Sequence, residues 1–127
     1  MRENMVQDVL LDESLDPFES YPVQVPKWAR YCSMFLPSLT ENSNISFKVM
    51  LHSAATAATL LPTNNTGWSP LYDAAEALVT IATGVENCWI DLSNYIKALP
   101  GDCWLRVTFA TEQETADLTM RVCFRGA

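Results

Sequence analysis

The sequence predicts an all-β fold, an antiparallel β-sandwich or jelly-roll-like domain of about seven strands with an extended N-terminal arm. Three observations predict it. Apolar and polar residues alternate with a period of two in several segments, turn-forming residues interrupt them at roughly ten-residue intervals, and acids and prolines crowd the first 26 positions.

Residues 1–26 hold Glu3, Asp8, Asp12, Glu13, Asp16 and Glu19 against Arg2 alone, with Pro17, Pro22 and Pro26 as breaks. Such a segment buries too little apolar surface to fold by itself. Val6, Val9, Leu10, Leu11, Phe18, Tyr21, Val23 and Val25 are nonetheless spaced along it. Tyr21-Pro-Val-Gln-Val-Pro26 alternates between prolines, as an extended edge segment does. The expectation is an arm at 1–26 that orders on a neighbouring subunit through Phe18, Tyr21, Val23 and Val25, and a sandwich domain at 27–127.

Beyond Trp28 the alternation sets in. Ile45, Phe47, Val49 and Leu51 alternate with Ser46, Lys48, Met50 and His52. Cys103, Leu105, Val107 and Phe109 alternate with Trp104, Arg106 and Thr108, and Leu118, Met120, Val122 and Phe124 with Thr119, Arg121, Cys123 and Arg125. These are three half-buried strands. Shorter apolar runs at 28–36, 71–72, 78–81 and 88–92 supply four more. Turn chemistry separates them at 40–44, at 62–67, at 83–87 as a hairpin, and at 100–102, where Pro-Gly suits a type II turn. Residues 53–61 and 93–99 suit either helix or loop, with Asp91 or Ser93 as a cap for the latter.

Composition excludes several functions. At 127 residues the chain is one domain's worth, and 49% of it is hydrophobic, enough for a core without staples. The net charge of −7 opposes binding to nucleic acid or to an anionic membrane. No apolar run reaches the roughly 18 residues of a membrane span. The first dozen residues have neither a basic nor an apolar leader region, so assembly in the cytoplasm is expected. Cys32, Cys88, Cys103 and Cys123 form no Cys-x-x-Cys pair and sit in apolar runs, which reads as buried free thiols rather than metal ligands.

No catalytic constellation emerges. The single histidine, His52, falls on the polar side of a strand without a motif that supplies a nucleophile or an orienting partner. Glycine-rich phosphate loops and nucleophile elbows are missing from the sequence. No cofactor, metal or enzymatic activity is expected. Trp89 should face opposite to Cys88 and Ile90, and Trp104 opposite to Cys103 and Leu105. If the cysteine sides face the core, both indoles point outward, where core packing, a subunit interface and a sugar-stacking platform all remain open.

One stretch carries a resemblance. Ile45-Ser-Phe-Lys-Val49, Trp68-Ser-Pro-Leu-Tyr-Asp73, Leu78-Val-Thr-Ile81, Ile90-Asp-Leu92, Tyr95-Ile-Lys97, Leu105-Arg106 and the closing strand 118–125 resemble small β-sandwich virion proteins of tailed bacteriophages. The resemblance implies a capsid decoration or cement protein. Such a protein is assembled in the host cytoplasm, binds the major capsid protein on the capsid exterior, commonly forms a trimer and laces neighbouring capsomers with its arm. The alternative is a tail-fibre or baseplate module that binds host-surface carbohydrate.

Overall fold

The computed structural model describes residues 3–96, 99, 101–114 and 116–126. Nine strands are seen among them: β1 (Asn4–Leu11), β2 (Val23–Val25), β3 (Tyr31–Leu36), β4 (Ile45–Leu51), β5 (Ser69–Pro70), β6 (Thr80–Ile81), β7 (Cys88–Asp91), β8 (Cys103–Phe109) and β9 (Leu118–Arg125). Two antiparallel sheets form, one in the order β1-β9-β3-β7 and one in the order β2-β8-β4-β5, with β6 also against β4. The fold is an all-β sandwich.

The pairings nest. β1 pairs β9, β2 pairs β8, β3 pairs β7 and β4 pairs β5, as in one long hairpin rolled up so that its two arms divide between the sheets. This is the jelly-roll arrangement. The three segments with the cleanest alternation, 45–51, 103–109 and 118–125, are strands with those bounds.

The N-terminal segment overturns the expectation of a separate arm. β1 runs in register with β9 from Asn4↔Arg125 to Leu11↔Leu118, and β2 pairs Val23, Gln24 and Val25 with Leu105, Trp104 and Cys103. Val9, Leu11, Val23 and Val25 are all core residues. β1 and β2 both come from this segment, and the run expected as a strand at 71–72 is not one: β5 lies just before it, with Tyr72 in an isolated bridge to Leu78. The N-terminal acids hid the pattern: Asp8 points to solvent while Val9 and Leu11 turn inward, so the charge marks one face of a strand rather than a solvated tail. Between β1 and β2 the chain is tied down as well. Asp16 Oδ1 accepts from the Phe18 and Glu19 amides, and the buried Ser20 Oγ accepts from the Val107 amide at 3.0 Å.

The core lies between the sheets. Met34, Leu36, Met120, Val122 and Phe124 from the first meet Ile45, Phe47, Leu105, Val107 and Phe109 from the second. The buried Gln113 side chain joins two loops: its Oε1 accepts from the Thr40 and Glu41 amides and its Nε2 donates to Glu41 O at 2.8 Å.

One loop expectation changes, and two open ones are decided. Residues 83–87 do not close a hairpin, because β6 pairs in one sheet and β7 in the other, so this segment crosses between sheets. Residues 53–61 are not an α-helix: a 3-10 turn (His52–Ala54) leads into a series of turns. After Asp91 a single helical turn, α1 (Ser93–Ile96), starts with the Ser93 amide donating to Asp91 Oδ1 at 2.9 Å. The rest of 93–99 and the turn at 100–102 fall partly on residues 97, 98 and 100, outside the described residues.

Candidate functional site

The two outer faces of the sandwich differ. On the first sheet, outward side chains form rows in register. Asp8, Arg121, Phe35 and Trp89 stand side by side across β1, β9, β3 and β7. Val6, Cys123, Ser33 and Asp91 form the next row, and Asn4, Arg125 and Tyr31 the one beyond. Arg121 Nε lies 3.3 Å from Asp8 Oδ1, and the Phe35 and Trp89 rings are 5.5 Å apart at a tilt of 53°. Trp89 is 56% exposed, Val6 55% and Tyr31 54%. A face that combines exposed aromatics with arginine has the composition of a protein interface centre.

On the second sheet the equivalent face is covered by the chain itself. The segment 55–68 folds over β4 and β8. Its Gly67 sits so close to Met50 that a Cβ there would approach Met50 Sδ at 3.1 Å, and Met50 is buried although it points away from the core. Arg106 also points outward from β8, yet its side chain is fully buried. The Trp68 ring lies 4.5 Å from its guanidinium carbon. Arg106 Nη1 donates to Asn64 O at 3.0 Å, Nη2 donates to Asn65 Oδ1, and Nε faces Glu19 Oε2 at 3.2 Å. The Glu19 carboxylate also takes Lys48 Nζ and the Thr108 hydroxyl, the latter at 2.7 Å. Burial pulls the Arg106 pKa down, while the Glu19 and Asp16 carboxylates hold it up. The guanidinium therefore stays charged at neutral pH. These contacts tie β8 to Glu19 and to Asn64, Asn65 and Trp68 of the loop, so the cluster is a latch that holds the loop down.

The chain matches no protein-family model, no curated protein and no solved structure. The arrangement of side chains is therefore what bears on function.

The residues expected to bind a partner scatter. Trp89 and Trp104 both point outward, as the alternation implied, but on opposite sheets. Val23 and Val25 face the core at 4% and 3% exposure and have no surface to offer a partner, because β2 is an inner-facing strand of the sandwich. Phe18 and Tyr21 are half-buried and held by their backbones: Phe18 O accepts from the Phe109 amide at 2.7 Å, and the Tyr21 amide donates to Leu10 O at 2.8 Å. His52 is not simply a strand residue facing solvent. Its Nδ1 accepts from Trp104 Nε1 at 3.1 Å, and the two rings stack with 6.1 Å between centroids. Tyr31, Phe35 and Arg121 were not singled out from sequence. Arg121 lies on the polar side of the closing strand's alternation, whereas 28–36 reads only as an apolar run, and which sheet face stays bare is not visible in sequence.

All four cysteines are free. Burial pushes Cys32 up to about 12 and Cys103 up to about 11, so neither forms a thiolate near neutral pH. Cys88 and Cys123 are half-buried. Among the described residues no three His, Cys, Asp or Glu side chains gather as metal ligands would, and no helix is long and apolar enough to cross a membrane.

Proposed function

We propose that this chain is a non-enzymatic structural protein of a phage virion, a capsid decoration protein that docks on the outside of the major capsid shell. The observation that carries the reading is the asymmetry between the sheets. The 55–68 loop covers Met50 and Arg106 on one outer face, and the other leaves Trp89, Tyr31 and Arg121 exposed, with Phe35 half-buried beside Trp89. Exposed aromatics on a sheet face are a liability for a free monomer and an asset for a protein that works on a surface. The jelly roll supports the reading at the level of fold analogy alone, since it recurs in viral capsid and lectin domains.

The mode of docking differs from the one the sequence suggested. The N-terminal segment is built into both sheets, so it does not lace a neighbour, and the first sheet's face makes the contact. A trimer over a local symmetry axis would place three such faces on the shell together, which raises avidity.

Quantitative mass spectrometry of purified virions tests this. A copy number near one per major capsid subunit supports decoration. A handful of copies per particle, or none, overturns it, and a handful points to the tail-fibre or baseplate alternative.

A further inference from the structure

β1 and β2 are edge strands of different sheets, and they meet at one side of the sandwich. There a surface cleft of about 390 Å³ opens, lined by Met5, Gln7, Gln24, Pro26 and Trp104. That volume lies within the range of small-molecule sites, ~300–1,000 Å³. Among the described residues none of the lining side chains is charged, although the chain as a whole carries −7. An ionic ligand would find no counter-charge in the lining.

The polar groups in the cleft are fixed. Trp104 Nε1 donates to His52 Nδ1 at 3.1 Å, and Gln24 Nε2 lies 3.3 Å from the same nitrogen. Gln7 Nε2 donates to Gln24 O at 3.2 Å. Gln7 Nε2 also contacts Met5 Sδ, and neither Gln7 Oε1 nor Gln24 Oε1 has a hydrogen-bond partner among the described residues. His52 does not line the cleft; its ring lies nearly parallel to the indole, at 13°, and its hydrogen bond to Nε1 anchors the indole's edge.

We propose that this cleft is a binding site for a neutral saccharide. The indole of Trp104 is the platform for the apolar C–H face of a sugar ring, and the Gln7 and Gln24 carbonyl oxygens accept from its hydroxyls. An uncharged polyhydroxylated ligand matches a cleft that offers one aromatic surface, two hydrogen-bond acceptors and no ion. His52 is a positioning residue that touches the indole and not the sugar. The site lies at the β1/β2 edge and does not rest on docking through the first sheet's face.

The test is a titration of the full chain and its variants with neutral gluco-, manno- and galacto-oligosaccharides, followed by isothermal titration calorimetry and, in chains that keep Trp104, by the NMR signal of its indole N–H. At least one neutral sugar should shift it saturably. Gln7→Ala, an edge substitution outside the core, should weaken binding by about tenfold, and Trp104→Ala by more. Trp89→Ala should leave it unchanged. Four results would overturn the site: no sugar binding up to about 10 mM, binding indifferent to Gln7→Ala and Trp104→Ala, loss of binding in Trp89→Ala, or a shift of the indole signal by an extended peptide while every sugar leaves it unmoved.

Discussion

Glu19 Oε2 lies 3.2 Å from Arg106 Nε, an ion pair in which the arginine side chain is fully buried and the carboxylate 7% exposed. The N–H is not well aligned on the oxygen: among the described residues Arg106 Nε has no directed hydrogen bond. The contact is therefore mainly coulombic, and Glu19 compensates a cation that has lost its water. Its second oxygen takes Lys48 from β4, so one carboxylate joins the N-terminal segment to both inner strands of the second sheet.

Removing one partner of a buried pair strands the other. Glu19→Gln keeps the shape and removes the charge. It should lower unfolding free energy by about 3 kcal/mol, measured by urea denaturation at neutral pH. A loss under about 0.5 kcal/mol, the scale of a surface substitution, would show that the pair is not holding the loop and strands together.

Deleting residues 1–25 should abolish folding. The deletion takes β1, the pairing partner of β9, and all of β2. It also takes Val9, Leu11, Val23 and Val25 from the core. Each such side chain stabilises by about 1.5–3 kcal/mol, against a whole-domain stability of about 5–15 kcal/mol. Circular dichroism and thermal denaturation would decide the point. A cooperative melting transition in the truncated chain would contradict the assignment of this segment to the sandwich.

The thiols should divide by burial. In the folded chain a disulfide exchange reagent should label Cys88 and Cys123 and leave Cys32 and Cys103 untouched until unfolding. The same burial makes stability depend on alkaline pH. Cys32 and Cys103 sit above the ordinary thiol value of 9.0 in the fold, so the unfolded thiols ionise first. Their contribution is whole below about pH 9 and is lost as pH rises toward 11–12. Cys32→Ala should flatten this alkaline slope. Rapid labelling of Cys32 in the native state would refute the placement.

Trp89→Ala should separate docking from folding. The ring is more than half exposed and rests on Phe35, so stability should fall by no more than about 1.5 kcal/mol, the scale of an aromatic pair. Binding to capsid shells should weaken by at least about tenfold, a loss of about 1.4 kcal/mol or more. Co-sedimentation with shells reads this directly, and unchanged binding would remove the first sheet's face from the docking reading.

The sequence alone determined the fold class and the direction in which many side chains point. Strict alternation placed β4, β8 and β9 with their bounds, sent Trp89 and Trp104 outward, and set Phe47, Val107 and Phe124 in the core. A period of two encodes the side of a strand on which a residue lies, and that signal is local. What occupies that side is not local. Arg106 and Met50 alternate outward like Arg121, yet the 55–68 loop buries them while Arg121 stays in solvent. Only the tertiary structure decided this, since it depends on Trp68 and Asn65 reaching across to β8. The N-terminal segment shows the same division. Its acids look like a solvated run until β9 is laid beside it, because nested pairing joins the first strand to the last, and nothing in residues 1–26 can announce a partner that comes at the far end of the chain.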